Sequence, residues 1–157
     1  MSREFQGDTD GRGISLAIVV SRFNNMITDR LQAGAREALA HYGVDANRVD
    51  FAYVPGSFEL PVAAQRLAES GRYQAVVCLG AVLRGETPHF DYVAAGAADG
   101  IGRVALDTRV PVIFGVITAD TLEQALERSG GRTGNKGFDA VTTAIEMANL
   151  MKKIDAS

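Results

Sequence analysis

The chain carries little that binds metals or forms cross-links: one cysteine and two histidines in 157 residues. A lone thiol and two dispersed imidazoles offer no zinc-ligand spacing, so no metal is expected. Cys78 lies inside the apolar run AVVCLGAV and reads as a small buried hydrophobe. With no second cysteine there is no disulfide framework, which points to a reducing compartment. Basic excess is also missing. The formal charge is −3, so a nucleic acid would find no cationic footprint for its phosphates. Long hydrophobic runs are absent too: the longest, Ala75 to Leu83, falls far short of a bilayer crossing. Met1 to Arg12 holds charges and glycines but no apolar stretch of the signal-peptide kind. No repeat or low-complexity tract interrupts the chain. A cytoplasmic globular domain with neither membrane nor nucleic-acid partners is the expectation, and 46% hydrophobic residues can build its core without staples.

What is present alternates between two patterns. ISLAIVV (14–20), VDFAYV (49–54), AVVCLGAVL (75–83) and VPVIFGVIT (110–118) are short, continuously apolar and rich in β-branched residues, the signature of buried strands. Between them lie helical periodicities. Leu31, Ala35, Ala38, Leu39 and Tyr42 follow Thr28 as N-cap and stop at Gly43. Pro61 suits the first turn of a second helix that Gly71 closes. Phe90, Val93, Ala94, Ala97, Ile101 and Val104 share one face of a third. Asp120 and Glu123 form a capping-box pair for a short helix over 122–129. Glycines break the chain at SGGRTGNKG, and a last helix turns Phe138, Val141, Ile145 and Ala148 inward, with Lys152 and Lys153 in its final turn. Strands without alternation, separated by helices, predict a parallel sheet covered on both faces. The expected fold is a single-domain three-layer α/β/α sandwich on a mainly four-stranded parallel sheet, of flavodoxin-like topology. Residues 1–12 are expected to form a flexible arm and 13–157 the domain.

Ligands of open parallel sheets bind beyond the carboxyl ends of the strands. Those ends are SRFNN (21–25), PGSFE (55–59), RGETPH (84–89) and GVITAD (115–120). Phe23 and Phe58 fall just past buried strands. Either could stack on a planar heterocycle, or plug its own loop. In RGETPH, Thr87 can cap a helix that starts at Pro88, and the amides of Gly85, Glu86 and Thr87 would then face an anion at the positive dipole end. An ordinary capped helix without ligand fits the same residues. His89 is accordingly either a proton carrier beside a bound anion or a solvated first-turn residue; imidazole chemistry suits both donating and accepting protons. His41 ends an amphipathic helix and reads as surface. Arg128 and Lys136 flank the glycine-rich break and could clamp a dianion, Arg as a fork and Lys as a point charge. They could equally be solvated.

Several motifs fail their context. Gly100, Gly102 and Ala105 match G-x-G-x-x-A but sit inside a helical pattern rather than after a strand. GNKG is no Walker loop, and no G-x-S-x-G elbow occurs. The first strand ends neither in a receiver domain's acidic pair nor in a flavodoxin's hydroxyl-rich phosphate loop.

Taken together, SRFNN, VPGSFELP, GAVLRGETPHFDYV, VPVIFGVIT and GNKGFDAVTTAIEMANL resemble lumazine synthase (6,7-dimethyl-8-ribityllumazine synthase) in order and spacing, from about Ile14 to Lys153. Ser57 stands where that family often carries alanine. The resemblance implies condensation of 5-amino-6-(D-ribitylamino)uracil with 3,4-dihydroxy-2-butanone 4-phosphate in riboflavin biosynthesis, without cofactor or metal. It also implies roles. Phe23 would stack on the pyrimidine, Ser57, Phe58 and Glu59 would hold the ribityl chain and ring, and Val82 and Leu83 would contact the pyrimidine through backbone. Gly85, Glu86 and Thr87 would face the phosphate, and His89 would move protons. Phe114, Arg128 and Lys136 would come from a neighbouring subunit, with Arg128 on the phosphate. Family members assemble as homopentamers, and the tight SGGRTGNKG link resembles those that build icosahedral shells. Riboflavin synthase is implied as a candidate partner. A non-catalytic riboflavin- or lumazine-binding relative, or a purely structural shell protein, is the alternative. Neither needs His89 together with Arg128 and Lys136.

Overall fold

Four of the apolar runs become one sheet. A computed structural model describes residues 2–131 and 134–157; Met1 of the expected arm, and Arg132 and Thr133 of the SGGRTGNKG link, lie outside them. Strands β1 (Leu16–Ser21), β2 (Val49–Val54), β3 (Ala75–Leu83) and β4 (Val112–Ala119) pair in the order β2-β1-β3-β4, all parallel. Five helices connect and cover them: α1 (Asn25–His41), α2 (Leu60–Glu69), α3 (His89–Thr108), α4 (Leu122–Arg128) and α5 (Lys136–Asp155). Leu16, Ile18 and Val20 of β1 point to a core shared with Leu31, Ala35 and Ala38 of α1 and Val141, Ala144 and Ile145 of α5. Ala17 and Val19 point the other way, to Leu60 and Ala64 of α2 and Ile101 and Val104 of α3. Both faces of β1 and β3 are buried, which is why their sequences show no alternation, while the edge strand β2 leaves Asp50 and Tyr53 exposed. The fold is the expected α/β/α sandwich of flavodoxin-like type. Each fully buried Leu, Ile or Val contributes roughly 1.5–3 kcal/mol of hydrophobic stabilisation.

The starts or caps of α1, α3 and α4 differ from the sequence expectations, while Pro61 falls in the first turn of α2 as expected. Helix α1 begins at Asn25, with Asn24 as N-cap in the left-handed region at φ 62°. Thr28 is therefore inside the helix, 1% exposed, its hydroxyl without a partner among the described residues. Helix α3 begins one residue past Pro88, which is its cap, and Thr87 Oγ1 only accepts a long 3.4 Å bond from the His89 N–H. Helix α4 is capped by Thr121, whose Oγ1 accepts from the Gln124 N–H at 3.1 Å, rather than by Asp120. The unforeseen cap is Asn135 of α5: its Oδ1 accepts from the N–H groups of Gly137 and Phe138, and its Nδ2 donates to Arg30 O. A small antiparallel pair, β5 (Ser129–Gly131) and β6 (Gly134–Asn135), brings this cap back onto α1.

Residues 6–10 lie along α5. Asn149 Nδ2 donates to Asp8 O, Asp8 Oδ1 and Asp10 O, and Lys153 Nζ donates to Gln6 O at 2.7 Å. Cys78, in the middle of β3, is fully buried, and burial pushes its thiol up to about 12. A thiol that is neither ionised nor reachable is unreactive. Ellman's reagent should therefore find no free thiol in the native protein and one after denaturation. Rapid labelling of the folded chain would contradict the buried position.

Candidate functional site

The carboxyl ends of the strands do not finish level, and that offset makes the cleft. Strand β3 pairs with β1 only as far as Leu79, but with β4 as far as Leu83. The β1-side edge of residues 80–83 is thus unpaired by any strand, and its polar groups need partners from elsewhere. One comes from the turn after β1, where Asn24 Nδ2 donates to Ala81 O at 2.9 Å. The same turn is pinned to β2 by Arg22 N–H to Val54 O and Phe23 N–H to Pro55 O, at 2.8 and 3.0 Å. Held at both sides, it presents Phe23 outward, 69% exposed.

The resulting cleft has two compartments. One of about 110 Å³ is lined by Phe23, Asn24, Ser57, Val82, Leu83 and His89, with Phe90 and Val93 of α3 behind. The other, about 330 Å³, is lined by Phe23, Pro55, Ser57, Phe58, Glu59 and His89. Phe23, Ser57 and His89 border both. The Phe58 ring rests over Gly96 of α3, where a methyl group would come within 2.5 Å of its Cε1. This close approach lets the ring lie flat against the helix while staying 60% exposed. Ser57 is buried, its hydroxyl has no partner among the described residues, and it sits above Gly80, where a Cβ would meet Oγ at 2.6 Å. An orphaned buried hydroxyl costs about 1–3 kcal/mol, so this one is a polar group at the cleft wall with its bonding capacity unspent.

Seven of the residues expected from the sequence therefore meet in one place: Phe23, Ser57, Phe58, Glu59, Val82, Leu83 and His89. Gly85, Glu86 and Thr87 follow Leu83 and Arg84 and form the exposed loop before His89. Among the described residues nothing accepts from the backbone N–H of any of the three. Phe114 and Lys136 are elsewhere. They line a separate groove with Val112, Ile113, Asp139 and Thr143, along β4 and the start of α5. Arg128, the last residue of α4, donates from Nη1 to Thr118 O at 3.1 Å and so lies along the outer end of β4. Asn24 was not foreseen. Its signal was present, an asparagine immediately before a helix at a strand end, where a left-handed turn residue is needed.

Among the described residues no three His, Cys, Asp or Glu side chains gather as a metal site would require. No helix of the described residues is long and apolar enough to cross a membrane. The family model of 6,7-dimethyl-8-ribityllumazine synthase matches residues 13–152, a span that includes all four parallel strands and every residue of the cleft. The chain belongs to the 6,7-dimethyl-8-ribityllumazine synthase family, whose role is in riboflavin biosynthesis.

Proposed function

We propose that the chain condenses 5-amino-6-(D-ribitylamino)uracil with 3,4-dihydroxy-2-butanone 4-phosphate, releasing inorganic phosphate and water. The observation that carries this reading is the cleft itself. An exposed ring, an unpaired strand edge and an imidazole meet at it, and the loop 85–87 just before that imidazole has backbone amides from which no described residue accepts. A planar pyrimidine would stack on Phe23 and take hydrogen bonds from the backbone of Val82 and Leu83. Ser57, Phe58 and Glu59 would hold the ribityl chain in the second compartment. The free amides of Gly85, Glu86 and Thr87 would receive the phosphate at the start of α3, where the helix dipole favours an anion.

The chemistry follows from what such a site can do. The amine of one substrate attacks the ketone of the other and water leaves, giving an imine. Phosphate is then eliminated, and the second amine closes the ring with loss of a further water. Each step moves a proton, and His89, at the border of both compartments, would carry it. The remainder is positioning of two reactants, which can supply a large part of the acceleration without any cofactor.

Phe114 and Lys136 face a different groove from the cleft of their own chain, and Arg128 is not among the residues that line that cleft. That separation supports a site completed by a second copy in a homo-oligomer, a pentamer in this reading, with shells of pentamers as the larger form. Residues 13–157 would be the working domain, in the cytoplasm. The test is direct: mix both substrates with the purified protein and follow lumazine fluorescence together with phosphate release. Ligand binding without either signal would reduce the protein to a binding relative.

A further inference from the structure

Arg84 opens the RGETPH stretch, and three elements meet on it. Its backbone N–H donates to Ala119 O at 2.9 Å, carrying the β3–β4 pairing one step past β3. Its Nε donates to Asp120 Oδ1 at 2.8 Å, and Nη1 lies 3.5 Å from Asp91 Oδ1. The guanidinium carbon stands 4.4 Å from the centre of the Phe90 ring. Phe90 and Asp91 are in the first turn of α3, and Asp120 is in the turn between β4 and α4. One planar cation therefore joins both ends of the loop 85–88 and fastens them to the neighbouring strand. Arginine suits this because its flat, forked head can meet two carboxylates and cover a ring at once.

Between those fixed ends the loop is held by little. No described residue accepts from its amides; its local bonds are the 3.4 Å contact from the His89 N–H to Thr87 Oγ1 and those that Pro88 O accepts from the Asp91 and Tyr92 N–H groups as α3 begins. Exposed ion pairs of this kind add little to overall stability. Their effect would be on geometry, where displacement of a reacting group by about 1 Å can cost about a hundredfold in rate.

Resting on the condensation reading above, we infer that Arg84 is a positioning residue. It clamps the first turn of α3 and the β4–α4 turn to the end of β3, and so sets the Gly85–Thr87 amides and His89 around the substrate's phosphate. It does not bind that anion, because its charge is committed to Asp91 and Asp120. The same two carboxylates give a way to tell positioning from direct binding. Loss of Asp120 would loosen the clamp but would also free the guanidinium for an anion. Asp120 can be changed without disturbing α4, since Thr121 caps that helix and the Asp120 backbone N–H donates to Gln124 Oε1.

The experiment uses the full-length protein with the substitutions Arg84→Ala, Arg84→Lys, Asp120→Ala and the Arg84/Asp120 double. Binding of inorganic phosphate, KM and kcat for the phosphorylated substrate, and amide exchange at residues 85–89 without ligand are measured. Arg84→Ala should raise the phosphate Kd and the KM by about tenfold, with kcat reduced and the unfolding midpoint little changed. Arg84→Lys, which keeps the charge and loses the fork, should recover only part of this. Asp120→Ala should weaken phosphate binding in the same direction, and the double substitution should be no worse than Arg84→Ala alone. Amides of 85–87 should exchange faster in each. Phosphate binding that tightens or holds in Asp120→Ala, or exchange unchanged in Arg84→Ala, would overturn the inference. Wild-type protein that forms no lumazine would sink the condensation reading instead, and the exchange comparison would still decide the clamp.

Discussion

Arg128→Ala is expected to slow lumazine formation more than His89→Ala does. In the proposed reaction, removing His89 would take away a general acid–base, worth about 10²–10⁴-fold, but leave both reactants bound and oriented, so a residual rate should remain. If Arg128 holds the phosphate as proposed, removing it would take the main charge partner from a departing dianion, and losses of such groups reach about 10³-fold or more. Single-turnover assays separate the two from any change in product release. Full activity in the Arg128 variant would show that it does not serve the phosphate. A second outcome follows if Arg128 reaches a neighbouring subunit's cleft. Each variant alone is impaired, but oligomers reassembled from a mixture contain some interfaces with both residues intact. Those mixtures should regain activity. If they do not, while each parent variant remains assembled, the two residues act within one chain and the separation of Arg128 from the cleft has another meaning.

The layers were legible because the central strands β1 and β3 are buried on both faces, and a run such as AVVCLGAVL has no other stable use. Strand β3 and strand β2 have the bounds that the apolar runs predict. Ends were harder where two residues compete for one cap. Asp120 and Thr121 both offer an oxygen to α4, and Thr121 takes the helix because Asp120 is drawn to Arg84, 36 positions away. Thr28 looked like a cap for α1 because it precedes the apolar periodicity. The helix instead starts four residues earlier, where the sheet edge needs Asn24 to reach Ala81 O. In each case the deciding partner is distant in sequence, which a local pattern does not contain.

The cleft was legible in the same way and to the same limit. Strand ends gave Phe23, Ser57, Phe58 and His89 as neighbours by topology alone. The unpaired edge of 80–83 was not visible, since it depends on β1 stopping pairing at Leu79. Nor was the role of Asn135. It caps α5 and bonds Arg30 of α1, so it fixes the crossing of two helices from opposite ends of the chain.

That crossing carries the second large effect. At Gly137, in the first turn of α5, an added Cβ would lie 2.0 Å from Leu31 O, 2.7 Å from Leu31 C and 2.9 Å from Leu31 Cα. All three are backbone atoms of α1, so no side chain can swing aside. In an open helix the change from glycine to alanine is favourable by about 1 kcal/mol. Here the helices must part, which breaks the Asn135 bond to Arg30 O and opens the core around Leu31, Val141 and Ile145. Overpacking costs typically 1–3 kcal/mol and more where backbone is struck, and loss of the Asn135 bond adds to it. Gly137→Ala should therefore destabilise by about 3 kcal/mol or more, read as a lower denaturant midpoint at fixed protein concentration. A midpoint equal to that of the wild type would mean α1 and α5 do not approach this closely. Lys136 begins α5, next to the substituted residue; if it serves a neighbouring copy's cleft as proposed, whatever variant protein still folds should bind substrate more weakly even though no cleft residue has changed.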